Sequence, residues 1–155
     1  MSVSDELVWS LVRSNTSFLH KRNGRTKRSG KIVLSSEPNN LMNLNSFKYS
    51  GLANSKAVGV TTATDSKGRK CGELRLKSSK KSKTPSKSVG KTLLRKGYKA
   101  CSSIITKQTV GTCYRPDLES CARRRWARVN LAINIEAGRK KPMKVANGLK
   151  KAKSS

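Results

Sequence analysis

The spacing of apolar residues predicts three helices, one at the N-terminus and two in the C-terminal half. The first spans residues 4–14, with Ser4 as its N-cap and the acidic Asp5 and Glu6 in its first turn, near the positive end of the helix dipole. Its apolar residues share one helical face: Leu7, Val8, Leu11 and Val12. Trp9 falls outside this stripe and is expected to face a second surface.

The two C-terminal helices carry clear apolar faces. One is predicted over residues 97–108, where four apolar residues recur at helical spacing: Tyr98, Cys101, Ile104 and Ile105. The other begins at Pro116, because proline suits the first helical position. Its apolar residues form one continuous face: Leu118, Ala122, Trp126, Val129 and Ile133. Gly138 is expected to end this helix.

Between Thr16 and Leu76 the pattern changes to short strand-like segments. The predicted strands are residues 17–21, 31–35, 46–50, 56–64 and 70–77. Phe47 and Tyr49 stand two positions apart, so they would point to the same face of a strand. Turn-forming sequences separate the segments: Asn23-Gly24, Pro38-Asn39-Asn40 and Ser66-Lys67-Gly68.

These elements indicate an α+β fold in one small domain: a small β-rich N-terminal body with a short N-terminal helix, two C-terminal helices and basic extensions. The β-rich part covers residues 1–76 and the helical part residues 96–138. A basic low-complexity stretch, residues 77–95, joins them, and a basic tail follows at residues 139–155. Because residues 77–91 show no hydrophobic periodicity, we expect them to be disordered when unbound.

The charge balance points to a polyanionic partner. The 155 residues include 35 Lys and Arg but only 8 Asp and Glu, which leaves a formal net charge of +27. A compact chain with this charge repels itself, and an enzyme for an acidic substrate needs only a local positive cleft. The sequence therefore predicts nucleic acid as the partner, because phosphates neutralise Lys and Arg with release of counterions.

The candidate phosphate-binding residues are cations with few acidic neighbours. Four arginines of the long helix fan around the side away from its apolar face, and the next acid after Glu119 is Glu136. Other candidates lie in the loop 23–30, in residues 77–91 and in the tail from position 139. The individual residues are Arg25, Lys27, Arg28, Lys80, Lys81, Lys83, Lys87, Lys91, Arg123, Arg124, Arg125, Arg128, Arg139, Lys140 and Lys141.

None of the four cysteines belongs to a zinc-site pattern: Cys71, Cys101, Cys113 and Cys121. The N-terminal segment carries acids where a secretory signal would be basic, so we expect a cytosolic chain whose cysteines pack as small buried residues. No apolar stretch approaches the roughly 18 residues that a membrane span needs. The sequence therefore predicts no metal, no cofactor and no membrane partner.

Two patterns that resemble catalytic motifs do not support an enzyme. Residues 88–92, Ser-Val-Gly-Lys-Thr, end like a phosphate-binding loop, but Pro85 stands where that motif needs its first glycine. His20 is the single histidine, and no Ser or Cys nucleophile can be matched to it from the sequence. We predict neither catalysis nor a small-molecule substrate.

Several motifs stand in a fixed order over residues 9–60 and 114–124. They are Trp9-Ser10-Leu11-Val12-Arg13-Ser14-Asn15, Ser17-Phe18-Leu19-His20-Lys21-Arg22-Asn23, Ser36-Glu37-Pro38-Asn39-Asn40-Leu41, Asn45-Ser46-Phe47-Lys48-Tyr49-Ser50-Gly51-Leu52, Lys56-Ala57-Val58-Gly59-Val60, Tyr114-Arg115-Pro116-Asp117-Leu118 and Ala122-Arg123-Arg124. Together these motifs resemble the eukaryotic large-subunit ribosomal proteins of family 28e.

The resemblance implies an α+β structural protein of the cytosolic large ribosomal subunit, bound to ribosomal RNA and to neighbouring ribosomal proteins, with assembly in the nucleolus. Two alternatives stay open. A nucleolar ribosome-assembly factor of the Mak-sixteen family is similar in its N-terminal domain, but such factors carry a long acidic C-terminal extension. A DNA-compacting chromatin protein would need no ordered N-terminal motifs, and it would prefer duplex DNA to structured RNA.

Overall fold

A computed structural model describes residues 3–23, 30–81 and 84–141. The helices and strands are α1 (Asp5–Val12), β1 (Leu19–Asn23), β2 (Lys31–Ser35), β3 (Val58–Thr64), β4 (Lys70–Lys77), β5 (Val89–Leu94), α2 (Tyr98–Thr106) and α3 (Glu119–Glu136). Strands β1 and β2 form one antiparallel sheet, and β3, β4 and β5 form a second antiparallel sheet with β4 in the middle. This arrangement confirms the predicted α+β class.

The hydrophobic core lies between one face of the three-stranded sheet and the helices α2 and α3. Directly opposed residues of antiparallel strands share a face, so Val60 and Leu74 point to the core together, and both are buried. Trp126 of α3 lies against Gly72 of β4, where a Cβ atom would collide with the indole ring. Glycine at position 72 therefore lets the indole approach the strand closely.

The C-terminal helices follow their predictions. A 3-10 turn, Pro116–Leu118, leads into α3, and Gly138 ends that helix with φ +69°, a conformation that favours glycine. The predicted apolar face of α3 belongs to the core: Leu118, Ala122, Trp126, Val129 and, at its edge, Ile133. Helix α2 buries Cys101 and Ile105 and continues as a π-helical turn, Lys107–Gly111.

Residues 46–50 were predicted as a strand, and that prediction is wrong. They contain a 3-10 turn, Phe47–Tyr49. The side-chain amide of Asn54 donates hydrogen bonds to the carbonyl oxygens of Phe47 (2.6 Å) and Ser50 (2.8 Å). These bonds satisfy backbone groups that a strand would pair with a neighbouring strand. The alternation of apolar side chains in the sequence does not reveal such hydrogen bonds, so it wrongly predicted a strand.

The basic stretch also departs from its prediction, because residues Val89–Leu94 form the edge strand β5. The expected disorder is therefore wrong for residues 89–91. Leu94 stands opposite Gly72 on β4 and is buried in the core. One apolar anchor and the backbone hydrogen bonds of β4 are sufficient here, and neither produces a hydrophobic period in the sequence.

Helix α1 forms with Ser4 as its N-cap, but its predicted apolar stripe is divided, because Val8 and Val12 are half-buried and the two leucines are exposed. Leu7 and Leu11 are 53% and 63% exposed. The packed side carries Trp9, whose ring centroid lies 6.1 Å from that of Phe47. Trp9 is half-buried on the same side of the helix as Val8 and Val12, so the expectation that it faces a second surface is wrong.

Three cysteines pack as predicted and one does not. Cys71, Cys101 and Cys121 are buried, and burial raises the pKa of the Cys101 thiol. Cys113 is exposed, so the prediction of burial is wrong for it. It lies in a turn after the π-helical segment with φ +47°, and its N–H donates to the carbonyl of Val110 (2.9 Å). All four are free thiols.

Candidate nucleic-acid interface

Helix α3 presents its arginines on the side away from the core. Arg123, Arg124 and Arg128 are exposed, whereas Arg125 is half-buried. Arg123 Nη1 lies 3.5 Å from Glu119 Oε1, so one of the four has an acidic partner one helical turn away. Exposed pairs of this kind contribute at most about 1 kcal/mol. Arg123 can therefore exchange Glu119 for a phosphate at little cost.

Four lysines of the basic stretch that were predicted to bind phosphate are exposed: Lys80, Lys81, Lys87 and Lys91. Lys91 stands directly opposite Arg75 of β4, on the sheet face that points away from the core. Opposed like charges repel each other, although Arg75 Nε is also held by Glu73 Oε2 at 2.6 Å. An anion beside Lys91 would relieve this repulsion.

The predicted cations are spread over both ends of helix α3. Helix α3 runs antiparallel to β4: Glu136 Oε2 lies 2.6 Å from Lys70 Nζ at one end, and Tyr114 donates to the Lys77 carbonyl at the other. The 18 residues of α3 span about 27 Å. The exposed tail residues lie at the Glu136 end: Arg139, Lys140 and Lys141. The lysines that follow Lys77 start from the opposite end.

Four predicted residues lie outside the part of the chain that the structure describes: Arg25, Lys27, Arg28 and Lys83. Lys77, at the start of the basic stretch, is used inside the fold. Its ammonium donates to the carbonyl oxygens of Gly51 (3.0 Å), Leu52 (3.1 Å) and Asn54 (2.7 Å), and burial lowers its pKa. This lysine fastens the loop before β3 to the end of β4.

A groove between α2 and α3 adds basic residues that the sequence analysis missed. Its volume is about 480 Å³, and its lining includes Tyr98, Lys99, Ser103, Thr106, Lys107 and Arg123. We call it the α2–α3 groove. Glu119 Oε1 accepts a hydrogen bond from Thr106 Oγ1 (3.0 Å), which ties the two helices together. In the sequence, the only indication of these basic residues was the pair Lys99 and Lys107, which interrupts the apolar pattern of this segment.

A second missed group surrounds the buried carboxylate of Asp65. Arg95 Nη2 is hydrogen-bonded to Asp65 Oδ1, Arg69 Nη2 lies 3.9 Å from Oδ2, and the two arginine side chains are 56% and 72% exposed. Burial raises the pKa of Asp65, but the hydrogen bond from the Ser66 N–H (2.8 Å) and the charge of Arg95 outweigh it and hold the pKa below its ordinary value. Asp65 thus holds two guanidinium groups beside a cavity of about 460 Å³, which Arg139 also lines.

The single histidine, His20, lies within hydrogen-bond distance of a serine hydroxyl. His20 Nε2 lies 3.0 Å from Ser36 Oγ. The carboxylate of the adjacent Glu37 accepts hydrogen bonds from Asn40 (3.0 Å) and Ser50 (3.1 Å) instead. It is therefore committed to its own loop and does not orient the imidazole as the acid of a catalytic triad would.

Residues 88–92 do not form a phosphate-binding loop, because Gly90 and Lys91 lie on the extended strand β5. Within residues 3–23, 30–81 and 84–141, no three His, Cys, Asp or Glu side chains are grouped as metal ligands would be. No helix in that same part of the chain combines the length and the apolar character that a membrane crossing requires.

Comparison with known proteins places these features in a family. The model of the ribosomal L28e protein family matches residues 7–132. The chain is 33% identical over 139 residues to large ribosomal subunit protein eL28 of Dictyostelium discoideum, which covers 84% of this chain and 89% of that protein. It is 36% identical over 126 residues to eL28 of Trypanosoma cruzi, which covers 81% and 75% respectively.

A shorter match, 46% identical over 61 residues, relates the chain to eL28 of Caenorhabditis elegans and covers 39% of this chain and 44% of that protein. The family match extends from within α1 to within α3, so it includes both sheets and α2. The family model covers well over half of the chain, and the chain belongs to the ribosomal L28e protein family.

Proposed function

We propose that this protein is a structural constituent of the cytosolic large ribosomal subunit and binds ribosomal RNA through phosphate contacts. The relatives that match most of its length are named as large ribosomal subunit proteins. Neighbouring ribosomal proteins are its other partners, and assembly takes place in the nucleolus. The proposal assigns no catalytic step to any residue.

The observation that carries the proposal is that seven of the eight acidic side chains are already in use. Five of them form ion pairs with Arg or Lys: Asp65, Glu73, Asp117, Glu119 and Glu136. Asp5 and Glu37 accept hydrogen bonds from neutral groups. Since the chain has only 8 acids against 35 Lys and Arg, most of the positive charge has to be neutralised by another molecule.

The distribution of the cations favours a folded RNA over a straight duplex. Exposed basic residues lie on α3, along β5, around Asp65 and beyond the end of α3. A single duplex presents its phosphates along one side of a bound protein, whereas a large folded RNA presents them on several sides. Phosphate contacts of this kind position the protein without reading the sequence.

The test replaces Arg123, Arg124 and Arg125 by Ala and follows the variant on sucrose gradients. We expect weaker incorporation into large subunits with an unchanged far-ultraviolet circular dichroism spectrum, since these side chains do not belong to the core. Binding to purified ribosomal RNA should show a shallower salt dependence, with the log–log slope reduced by about 0.7–0.9 for each phosphate contact removed. Full incorporation of the triple variant would contradict the proposal.

The matched control replaces the same three arginines by Lys, which keeps the charge. We expect this variant to incorporate nearly as well as the unmodified chain, because phosphate neutralisation depends mainly on charge. The gradients also separate the assembly-factor alternative. A structural constituent stays with mature polysomes, whereas an assembly factor is found with precursor particles alone.

A further inference from the structure

We propose that the α2–α3 groove binds an unstacked nucleobase of the RNA, with the ring of Tyr98 as the stacking surface. This inference deepens the proposed function, on which it rests, because it adds a base contact to phosphate contacts. Unpaired bases that stack on aromatic side chains are a common mode of RNA recognition.

The first argument is the exposure of Tyr98, the first residue of α2. Its side chain is 46% exposed, although large aromatic residues normally bury most of their surface. It lines the α2–α3 groove and also an adjoining depression of about 290 Å³, which contains Arg124. An exposed aromatic ring between two basic depressions is the arrangement that single-stranded nucleic acid uses.

The second argument is that the ring is held in place. Tyr98 and Trp126 are nearly parallel, with an angle of 8° between the ring planes and 6.4 Å between the centroids. The indole N–H of Trp126 also donates to the Tyr98 carbonyl (3.2 Å). Because Trp126 is itself buried in the core, it supports Tyr98 from below. A base can therefore stack without first ordering a mobile side chain.

The third argument is the position of the charges around the ring. Arg123 lines both depressions together with Tyr98, and Arg124 lines the smaller one. Lys99 and Lys107 lie along the larger one, which Glu119, paired with Arg123, also lines. A nucleotide whose base covers Tyr98 would thus have cations on both sides for its own phosphate and the next one, and guanidinium planes can also stack on bases.

The hydroxyl groups of the groove indicate how selective the site is. Ser103 Oγ donates to the Lys99 carbonyl (3.2 Å), and Thr106 Oγ1 donates to Glu119 (3.0 Å). These two donors are committed to the protein, and Ser102, which also lines the groove, offers a single O–H group, too little to distinguish the four bases. We therefore expect stacking that tolerates every base, since each has a π face.

The experiment uses the full chain and two labelled probes of equal charge: a deca-adenylate and an abasic ribose-phosphate decamer. Fluorescence anisotropy titrations compare Tyr98→Leu with Tyr98→Phe at low and at raised salt. We expect Tyr98→Phe to bind like the unmodified chain and Tyr98→Leu to bind deca-adenylate at least about 5-fold more weakly. Neither substitution should change binding of the abasic probe, which offers phosphates alone. Equal binding of deca-adenylate by both variants would overturn the base site.

A double variant, Arg123→Ala with Arg124→Ala, separates this inference from the proposed function. It should weaken binding of both probes. If it does so while the two Tyr98 variants are equal, phosphate binding stands and the base site fails. If the double variant binds both probes as tightly as the unmodified chain does, the proposed phosphate contacts of α3 are contradicted. Leu7→Ala, an exposed apolar residue outside the groove, serves as the control for nonspecific loss of apolar surface.

A second measurement needs no variant and remains decisive if Tyr98→Leu does not fold. A decamer containing 4-thiouridine is photo-cross-linked to the unmodified chain, and the attachment sites are mapped by mass spectrometry. The proposal requires a cross-link on the peptide that contains Tyr98. Cross-links confined to other segments would overturn it.

Discussion

The C-terminal and N-terminal parts of this molecule are held together by different kinds of contact. In the C-terminal part, β3, β4, β5, α2 and α3 enclose an apolar core around Trp126 and Leu74. In the N-terminal part, α1 has no buried residue, and polar side chains bind the backbone instead. Asn40 donates to the Leu44 carbonyl (2.8 Å), and Asn45 donates to the Arg13 carbonyl (2.9 Å).

The long basic side chains of Lys77 and Arg115 connect these two parts. Lys77 binds three loop carbonyls from the end of β4. Arg115, just before α3, donates to the carbonyls of Lys56 (2.9 Å) and Lys48 (3.0 Å) and forms two hydrogen bonds with Asp117. This difference shows that a very basic chain can use some of its Lys and Arg side chains to hold loops in place where few apolar side chains are buried.

The largest effect should come from the apolar side of the comparison. Replacing Trp126 by Ala removes the side chain that fills the space above Gly72, and we expect a loss of about 3–5 kcal/mol in the free energy of unfolding. Urea denaturation followed by circular dichroism measures it. Trp9→Ala, on the half-buried side of α1, is the matched control and should cost clearly less. Equal losses would remove the distinction between the two parts.

An intermediate effect should come from Arg115, which represents the polar side. Arg115→Lys keeps the charge but loses the planar fork that reaches two carbonyls and a carboxylate, so we expect a loss of about 1–3 kcal/mol. The same denaturation assay applies. Arg69→Lys makes the same chemical change at a side chain that is 72% exposed, and it should be within about 0.5 kcal/mol of the unmodified chain. A neutral Arg115→Lys would mean that the polar contacts add little.

The smallest effect should be the pH dependence of the stability that the contact between Arg115 and Asp117 provides. The hydrogen bond from Arg115 lowers the pKa of Asp117 and outweighs the effect of partial burial. Because the folded pKa lies below the unfolded value of about 3.9, the pair stabilises the fold above that pH, and the contribution is lost as the pH falls through the folded pKa.

Asp117→Asn should therefore cost at most about 1 kcal/mol at pH 7, and the difference from the unmodified chain should shrink as the solution is acidified below pH 3.9. Denaturation midpoints measured across this range test the expectation. A difference that stays constant with pH would show that the charge of Asp117 is not the stabilising property.

Sequence reasoning performed well where burial alone sets the structure. The spacing of Leu118, Ala122 and Trp126 located α3 and its buried face, and Gly138 located its end. It failed at residues 46–50, because the hydrogen bonds of Asn54 are made by side chains across a loop and follow no period. It also could not find β5, whose partner strand supplies its backbone hydrogen bonds.

The candidate site likewise contains residues that the sequence pattern reveals and residues that only the fold brings together. Runs of cations marked the arginines of α3 and the lysines of the basic stretch, because a run is visible in one dimension. The groups at Tyr98 and Asp65 arise only when separate segments meet. Lys99 and Arg123 line one groove from two helices, and Arg69 and Arg95 meet beside Asp65 at one end of the three-stranded sheet. No short window of sequence contains either pair.

The antiparallel packing of α3 on β4 has a consequence for architecture. Because it places the start of the basic stretch, after Lys77, and the start of the tail about 27 Å apart at opposite ends of α3, one local phosphate group cannot neutralise both. The length of α3 therefore sets a lower limit on the size of a polyanion that contacts both basic segments at once.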